Sequence, residues 1–245
     1  PFIRNFNYRN NLIVSANLIN ECITYGTKII FTSSMAVYGD QTPPFTEDKR
    51  PQPIDPYGIA KYAVECDLKL AHEQFGLRYN IVRPHNVLGV YQNIWDRYRN
   101  VIGIFIRKAL NGQSILVYGD GEQTRAFSDI KYYMEPFDKL LTGHDGETFN
   151  IGADKHFTLN EVAMTVQTVA AKYGYHVNIE HGQPRHEVKH AFCDHTKAKT
   201  LLNFEDNTNL TELIESVFVW AMKQPNRKVK DMEYEVTKDI YDYWK

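Results

Sequence analysis

Two short apolar segments separated by a long helical one constrain the fold of this chain more than any other feature. Residues 28–32 and 79–82 are brief and rich in β-branched and aromatic side chains, which is typical of strands buried on both faces. Residues 57–75 have the length of a crossover helix, and Gly76 supplies its end. A strand, a crossover helix and a second strand predict an α/β fold with a doubly wound parallel sheet.

Further elements follow from apolar spacing and from capping residues. Thr158 and Glu161 form a capping-box pattern that opens a helix reaching about residue 173. Asn209 and Glu212 form a similar pattern, so we interpret the sequon at Asn209 as the start of a helix. The other predicted elements are helices over 7–25, 99–111, 195–202 and 210–222, and strands over 114–118 and 176–180.

Composition narrows the class of protein. The 245 residues include 28 basic and 30 acidic ones, which gives a net charge of −2 and does not favour non-specific binding to nucleic acid. Three cysteines, Cys22, Cys66 and Cys193, fit a reducing compartment better than a disulfide framework, so we expect a cytoplasmic protein. No apolar run reaches the length that predicts a membrane span.

The pair Tyr57 and Lys61 is the clearest sign of chemistry. Side chains four residues apart share one face of a helix, and an ammonium beside a phenol stabilises the phenolate and lowers the pKa of the phenol. Such pairs also occur on many exposed helices, so a solvated pair is the alternative. Ser33 and Ser34 follow the first predicted strand, at the edge where open parallel sheets bind ligands. They are either ligand contacts or simple strand-ending residues.

These residues stand in segments that closely resemble the extended short-chain dehydrogenase/reductase family, and within it the UDP-glucose and UDP-N-acetylglucosamine 4-epimerases. The resemblance covers nearly the whole chain in the family's order. It implies a Rossmann-like sheet with a smaller C-terminal substrate lobe, NAD as the cofactor and a UDP-sugar as the substrate. The matching segments are Asn10-Asn11, Thr32 to Gly39, Tyr57-x-x-x-Lys61, Arg83 to Asn86, Tyr118 to Arg125 and Glu187 to Ala198.

The resemblance also implies a reaction and the residues that perform it. The sugar would be oxidised at C4 to a 4-keto sugar, turn over in the pocket and be reduced from its opposite face. Tyr57 is implied as the general acid and base, Lys61 as the residue that holds the nicotinamide ribose, and Ser34 as the partner of the reacting hydroxyl. The implied cofactor contacts are Asn11, Ser33, Tyr57 and Lys61, and the implied substrate contacts are Ser34, Asn86, Asn100, Arg125, Arg185 and Ala191.

The chain departs from the family at its start. It contains no G-x-x-G-x-x-G loop, the segment that lets the pyrophosphate of NAD approach a helix N-terminus, and it begins without methionine. We therefore expect that a preceding stretch was removed or is missing. A partial NAD-binding domain without its N-terminal strands is predicted over 1–83 and about 127–150, and a nucleotide-sugar lobe over about 84–126 and 151–245. A truncated sugar-nucleotide-binding paralogue without activity is one alternative function.

A second departure bears on the type of reaction. In the resemblance, related 4,6-dehydratases carry Asp-Glu after the catalytic Thr or Ser, and sugar-acid decarboxylases carry a Glu nearby. This chain has Met35 and Ala36 in those places. Because neither side chain transfers a proton, epimerisation fits better than elimination or decarboxylation. A dehydratase or decarboxylase of the same family is the other alternative.

Residues 186–190 satisfy the H-E-x-x-H pattern of zinc proteases. That pattern needs a helix to bring both imidazoles to one metal. Pro184 just before it predicts an extended segment, in which four residues span about 13 Å. We therefore predict no metal site here.

The resemblance implies two further properties. Family dimers pack two helices from each subunit, and these match residues 7–25 and 57–75, so a homodimer is expected. The first of these helices has apolar residues on more than one face, which suits burial on two sides. Ala191, three residues before Asp194, matches a position beside the C2 substituent of the sugar. A small residue there predicts that UDP-N-acetylhexosamines are accepted as well as UDP-hexoses.

Overall fold

The structure, a computed structural model, describes residues 3–95, 100–184, 188–225, 227 and 233–239. Its strands are β1 (Ile29–Thr32), β2 (Tyr79–Pro84), β3 (Val87–Leu88), β4 (Ile115–Tyr118), β5 (Thr124–Ala126), β6 (Ser128–Asp129), β7 (Thr148–Ile151), β8 (His156–Thr158), β9 (Ile179–Gly182) and β10 (His190–Ala191). Its α-helices are α1 (Arg4–Asn7), α2 (Val14–Tyr25), α3 (Pro56–Phe75), α4 (Val101–Leu110), α5 (Met134–Thr142), α6 (Leu159–Lys172), α7 (Thr196–Leu202) and α8 (Leu210–Met222).

A parallel sheet with the strand order β1-β2-β7 lies at the centre of the fold. Thr32 at the end of β1 is in register with Val82, and Pro84 at the end of β2 is in register with Ile151. The carboxyl ends of the three strands therefore meet at one edge. This arrangement confirms the predicted α/β fold, in which α3 crosses from β1 to β2.

Helices cover both faces of this sheet, as a doubly wound fold requires. On one face, α2 and α3 pack against the sheet through an apolar cluster that includes Ile19, Cys22, Phe31, Val64, Leu68 and Ile81. On the other face, α5 and α7 pack through a cluster that includes Val82, Leu140, Phe149, Ala198 and Leu202. Burial on both faces explains why the strands are continuously apolar.

A second and larger apolar cluster lies among α4, α6, α8 and the parallel pair β4-β9. It includes Phe105, Ile115, Val166, Val217 and Phe218. Two smaller sheets accompany this cluster and the central sheet: β3 pairs with β6, and β5 pairs with β10 and β8. The chain leaves the central sheet after Pro84, at the end of β2, and returns to it at β7.

The capping signals in the sequence act as predicted. Gly76 ends α3 in the left-handed conformation. At the start of that helix, two residues that the sequence analysis did not single out also contribute: Asp55 accepts a 2.7 Å hydrogen bond from the backbone of Gly58, and Pro56 occupies the first turn. Thr158 and Glu161 form the full capping box of α6. Asn209 accepts backbone hydrogen bonds at the start of α8, which confirms its interpretation as a cap.

The structure also differs from the sequence-based expectations at several boundaries. The first helix begins at Arg4 rather than at residue 7, and a π-helical segment, Tyr8–Ile13, lies between α1 and α2. The strand expected over 176–180 lies at Ile179–Gly182, because its pairing with β4 begins at Ile115. Helix α5 was not predicted. It is short, and its buried residues Pro136 and Leu140 depend on tertiary packing that local sequence does not reveal.

Candidate active site

Ser34 lies where the chain turns away from the carboxyl end of β1. The preceding residue donates its backbone N–H to Val82 O at 2.7 Å, which holds the turn against β2. Ser34 is extended, and its hydroxyl oxygen accepts a 3.1 Å hydrogen bond from the backbone of Ala36. The hydroxyl therefore caps a short 3₁₀ helix, Met35–Tyr38, and stands half-buried at the edge of the sheet.

Close packing brings the first turn of α3 against this 3₁₀ helix. A Cβ atom at Gly58 would lie 2.6 Å from the carbonyl oxygen of Ala36, so only glycine allows the two backbones to approach this closely. Tyr57 immediately precedes Gly58, and its side chain is 37% exposed. The sequence-predicted residues Ser34 and Tyr57 thus belong to two segments in direct contact.

Lys61 links α3 to the carboxyl end of β1. Its ammonium group donates a 2.8 Å hydrogen bond to Thr32 O, two residues before Ser34, and lies 5.8 Å from the centroid of the Tyr57 ring. It also lies 4.8 Å from the centroid of the Phe31 ring. Burial lowers the pKa of Lys61 from its usual value. The structure therefore places a partly desolvated cation between the phenol of Tyr57 and the end of β1.

The two other predicted cofactor contacts have local partners. Asn11 lies in the π-helical segment that packs against α3, and its side-chain amide donates to Asn7 O at 3.1 Å. The hydroxyl of Ser33 points into the protein, where the side chain is 3% exposed and donates to the carboxylate of Glu65. Sequence reasoning did not single out Glu65, because a lone glutamate on a helix usually faces solvent.

Three predicted substrate contacts meet around β5. Arg125 and Ala191 are directly paired between the parallel strands β5 and β10. Asn86 has a positive φ of 42°, and its side-chain amide donates to Ala126 O at 2.8 Å. Asn86 therefore contacts the residue that follows Arg125, although 39 positions separate Asn86 from Arg125 in the sequence.

The predicted substrate contacts differ in their neighbours within the protein. The Arg125 guanidinium donates to Thr124 O and Lys189 O at 2.8 and 3.1 Å. The Ala191 side chain is buried in an apolar cluster with Val37 and Tyr38. Asn100 lies elsewhere, as the cap of α4. Arg185 and the first residues of the H-E-x-x-H pattern lie outside the described residues.

A buried histidine pair beside Asn86 was not anticipated. His85 Nε2 lies 3.0 Å from His195 Nε2, and His195 Nδ1 lies 3.0 Å from the carboxylate of Asp154. A Cβ atom at Gly152 would lie 1.7 Å from His85 Nε2, so the imidazole fills the space that a side chain at this position would need. Burial and the neighbouring His195 lower the pKa of His85 to about 3, which keeps this ring neutral at physiological pH.

Comparison with known proteins identifies the family. A sequence profile of the NAD dependent epimerase/dehydratase family matches residues 4–152. The chain belongs to this family.

Individual relatives differ in the reaction that their names describe. The chain is 33% identical to a Methanocaldococcus jannaschii protein provisionally named UDP-glucose 4-epimerase, over 89% of this chain and 70% of that protein. It is 32% identical to the UDP-N-acetyl-alpha-D-glucosaminuronate decarboxylase of Bacillus cytotoxicus, over 86% of this chain and 68% of that protein. The crystal structure of the Thermotoga maritima UDP-glucose 4-epimerase with UDP-glucose superposes with a TM-score of 0.78 at 31% identity, covering 87% of this chain and 69% of that chain.

The residues at the carboxyl edge of β1 fit the nicotinamide-ribose end of NAD. Lys61 presents an ammonium 5.8 Å from the centroid of the exposed Tyr57 ring, and Ser34 presents a hydroxyl on the adjoining segment. These are polar groups of the kind that bind ribose hydroxyls. The glycine-rich loop for the pyrophosphate does not occur in these 245 residues. The fit therefore concerns one end of the cofactor.

The described parts of the chain lack two other features, a membrane-spanning helix and a group of metal ligands. No helix there is both long and apolar enough to span a membrane. No three histidine, cysteine or acidic side chains there are grouped so that they could hold a metal ion.

Because His85 is buried in its neutral form, we expect the folded chain to become less stable in mild acid. Its pKa in the folded chain, about 3, is below the usual value of 6.5, so the unfolded chain binds more protons between these values. The free energy of unfolding should therefore fall as pH drops below about 6.5, by up to about 1.4 kcal/mol per pH unit from this residue. Urea unfolding between about pH 7 and pH 4 measures this slope.

The variant His85→Gln, which cannot titrate, should have a shallower slope than the wild type. His176→Gln is the matched control, because His176 is exposed, and it should follow the wild type. Equal slopes for the wild type and His85→Gln would show that His85 does not cause the loss.

Proposed function

We propose that this chain carries the catalytic residues of an NAD-dependent enzyme that epimerises C4 of a UDP-sugar. The observation that carries the proposal is the meeting of Ser34, Tyr57 and Lys61 at the carboxyl edge of β1. Open parallel sheets bind ligands at this edge. The family match and the similarity to the T. maritima 4-epimerase with UDP-glucose support the same function.

Each of the three residues has a distinct task in the proposed reaction. NAD supplies hydride acceptance and return when it is bound. Tyr57, as the phenolate, takes the proton of the sugar 4-hydroxyl and gives it back after the keto sugar has turned over. Lys61 stabilises the phenolate by its charge and binds the ribose of the cofactor. The hydroxyl of Ser34 hydrogen-bonds the reacting oxygen and orients it toward Tyr57.

Two residues of the 3₁₀ helix favour epimerisation over decarboxylation. Met35 and Ala36 follow Ser34 directly and are half-buried beside it, and neither can donate or accept a proton. Removal of a carboxyl group needs a proton at the carbon that loses it, whereas epimerisation returns every proton that it takes. The similarity to a decarboxylase keeps that reaction as the second candidate. Release of CO₂ from a UDP-uronic acid, with no 4-epimer formed, would favour it.

The diphosphate and the sugar are proposed to bind around β5, at Asn86, Arg125 and Ala191. A guanidinium matches the geometry of phosphate oxygens, and Arg125 carries one on β5, where Asn86 hydrogen-bonds the next residue, Ala126. Ala191, paired with Arg125, is proposed to leave room at C2 of the sugar. Asn100 and Arg185 stay predicted substrate contacts. Asn11 stays a predicted cofactor contact.

The chain is also proposed to form a homodimer through α2 and α3. The two helices pack against each other and expose apolar side chains away from the sheet. Ile13, Val14 and Leu18 are between 51 and 58% exposed, and Ile59 and Leu70 of α3 are also exposed. A four-helix interface with a second copy would remove this surface from water.

The first test of the reaction is the variant Tyr57→Phe. It keeps the aromatic ring but removes the atom that transfers the proton, so kcat should fall by about 10²–10⁴-fold. Ser34→Ala should cost less. Tyr62→Phe is the matched control, because Tyr62 lies on the same helix, and its kcat should stay near the wild-type value. A Tyr57→Phe enzyme with nearly normal turnover would remove Tyr57 from the proposed role.

The variant Ala191→Tyr tests the substrate range. A bulky ring at this position should lower kcat/KM for UDP-N-acetylglucosamine by roughly tenfold or more relative to that for UDP-glucose. The activity toward UDP-glucose serves as the control, because Ala191 is buried and the ring also disturbs its neighbours. An equal loss for both substrates would show that Ala191 fills the core and does not select the sugar.

Light scattering at tens of micromolar tests the proposed dimer. We expect the mass of two chains for the wild type and a shift toward one chain for Leu18→Lys, which places a charge in the proposed interface. Leu201→Lys is the control, because Leu201 is similarly exposed but lies on α7. A wild-type mass of one chain would contradict the proposal.

A further inference from the structure

Glu65 occupies an unusual place for a carboxylate. It lies on α3, one turn beyond Lys61, and is 0% exposed. Its Oε1 atom accepts hydrogen bonds from the hydroxyl of Ser33 and, at 3.0 Å, from Nε of Arg83. Its Oε2 atom accepts a second hydrogen bond from Arg83 at 2.6 Å. Both carboxylate oxygens are therefore paired inside the protein.

The charges of Glu65 and Arg83 balance in the interior. Burial lowers the pKa of Arg83, but the hydrogen bonds and charge of Glu65 outweigh this effect and raise it above its usual value. The guanidinium also donates to the hydroxyl of Tyr38 at 2.7 Å, and that hydroxyl donates to Asn150 at 2.8 Å. The result is a rigid, satisfied network that connects α3, β2 and β7 behind the active site.

Stability alone is a weak reason for such a pair. The free energy needed to remove two charges from water offsets much of their mutual attraction. Proteins with apolar replacements of such pairs are often equally stable. What the pair contributes here is geometry. The bidentate contact fixes the height and rotation of α3 relative to β2, and α3 carries Tyr57 and Lys61.

Ser33 extends this network into the active site. Its carboxyl-side neighbour is Ser34, and its amino-side neighbour is Thr32, whose carbonyl oxygen accepts the hydrogen bond of Lys61. Backbone hydrogen bonds from Ser33 to Phe31 and Val82 hold the turn to the sheet. The hydroxyl bond to Glu65 is different, because it holds the same turn to α3. It therefore sets the distance between the Ser34 turn and the helix that carries Tyr57.

We propose that Glu65 is a positioning residue, which acts through the hydroxyl of Ser33 to hold Ser34 and Lys61 in register with Tyr57. This inference rests on the proposed function. It also assigns a different task to Ser33, which the family resemblance implies as a cofactor contact: its side chain organises the site from behind. A displacement of about 1 Å in reacting groups can lower a rate by about 10²-fold, so loss of this link should be visible in turnover.

The experiment uses Ser33→Ala rather than a variant of Glu65. Substitution of Glu65 leaves the charge of Arg83 buried without its counter-charge, which costs about 3–5 kcal/mol and can unfold the chain. Ser33→Ala removes one hydroxyl and leaves the ion pair intact. Tyr133→Phe is the matched control, because it also removes one buried hydroxyl, which donates to Ile151 O at 2.8 Å. The Tyr133 side chain packs on the opposite face of the sheet.

Two readouts separate positioning from general destabilisation. The first is the pKa of the Tyr57 phenol, measured by NMR of ¹³C-labelled tyrosine and assigned with Tyr57→Phe, which requires no turnover. Ser33→Ala should raise this pKa relative to the wild type, because Lys61 loses its fixed place beside the phenol. The second is kinetic: kcat should fall about 10–100-fold while KM changes little.

The control decides the interpretation. Tyr133→Phe should change neither readout, although it should lower the melting temperature about as much as Ser33→Ala does. If Ser33→Ala leaves the Tyr57 pKa unchanged, or if Tyr133→Phe changes it equally, the positioning role is wrong. Absence of epimerase activity in the wild type would instead overturn the proposed function, and the NMR readout would still decide the role of Glu65.

Discussion

The parallel pairing of β1 with β2 is the constraint on which the rest of the site depends. Parallel strands cannot be joined by a tight turn, so the chain must leave the carboxyl end of β1 and return over one face of the sheet as α3. The first turn of α3 is thereby brought to the edge where β1 ends. The segments that carry Ser34 and Tyr57 are in contact for this reason, and Lys61 links α3 to the end of β1 by its hydrogen bond to Thr32 O.

Much of the fold and part of the candidate site could be predicted, because their signals in the sequence are local. The apolar strands, the caps of α3, α6 and α8, and the spacing of Tyr57 and Lys61 are all visible within short windows of sequence. Contacts between distant segments carry no such signal. The pairing of His85 with His195, the pairing of Arg125 with Ala191, and the burial of Glu65 depend on the assembled fold.

Membership of the family and choice of reaction rest on different parts of the molecule. The central sheet, α3 and the residues Ser34, Tyr57 and Lys61 suit any reaction that begins by oxidising a sugar hydroxyl. The choice among later steps depends on which side chains can move a further proton. In the proposed function that choice depends on Met35 and Ala36, in a single turn of 3₁₀ helix, and relatives with different reactions would then share nearly all of the same framework.

The contact between Gly152 and His85 has a consequence for how this protein can change. The imidazole occupies the volume that any side chain at position 152 would need, while His85 in turn contacts His195 and, through it, Asp154. A side chain at position 152 therefore requires that the His85 ring move or be replaced by a smaller residue, and a smaller residue there removes the partner of His195 Nε2, while His195 Nδ1 keeps Asp154. Substitutions at these positions are therefore coupled, so a larger residue at position 152 becomes accessible to evolution only together with a change at position 85.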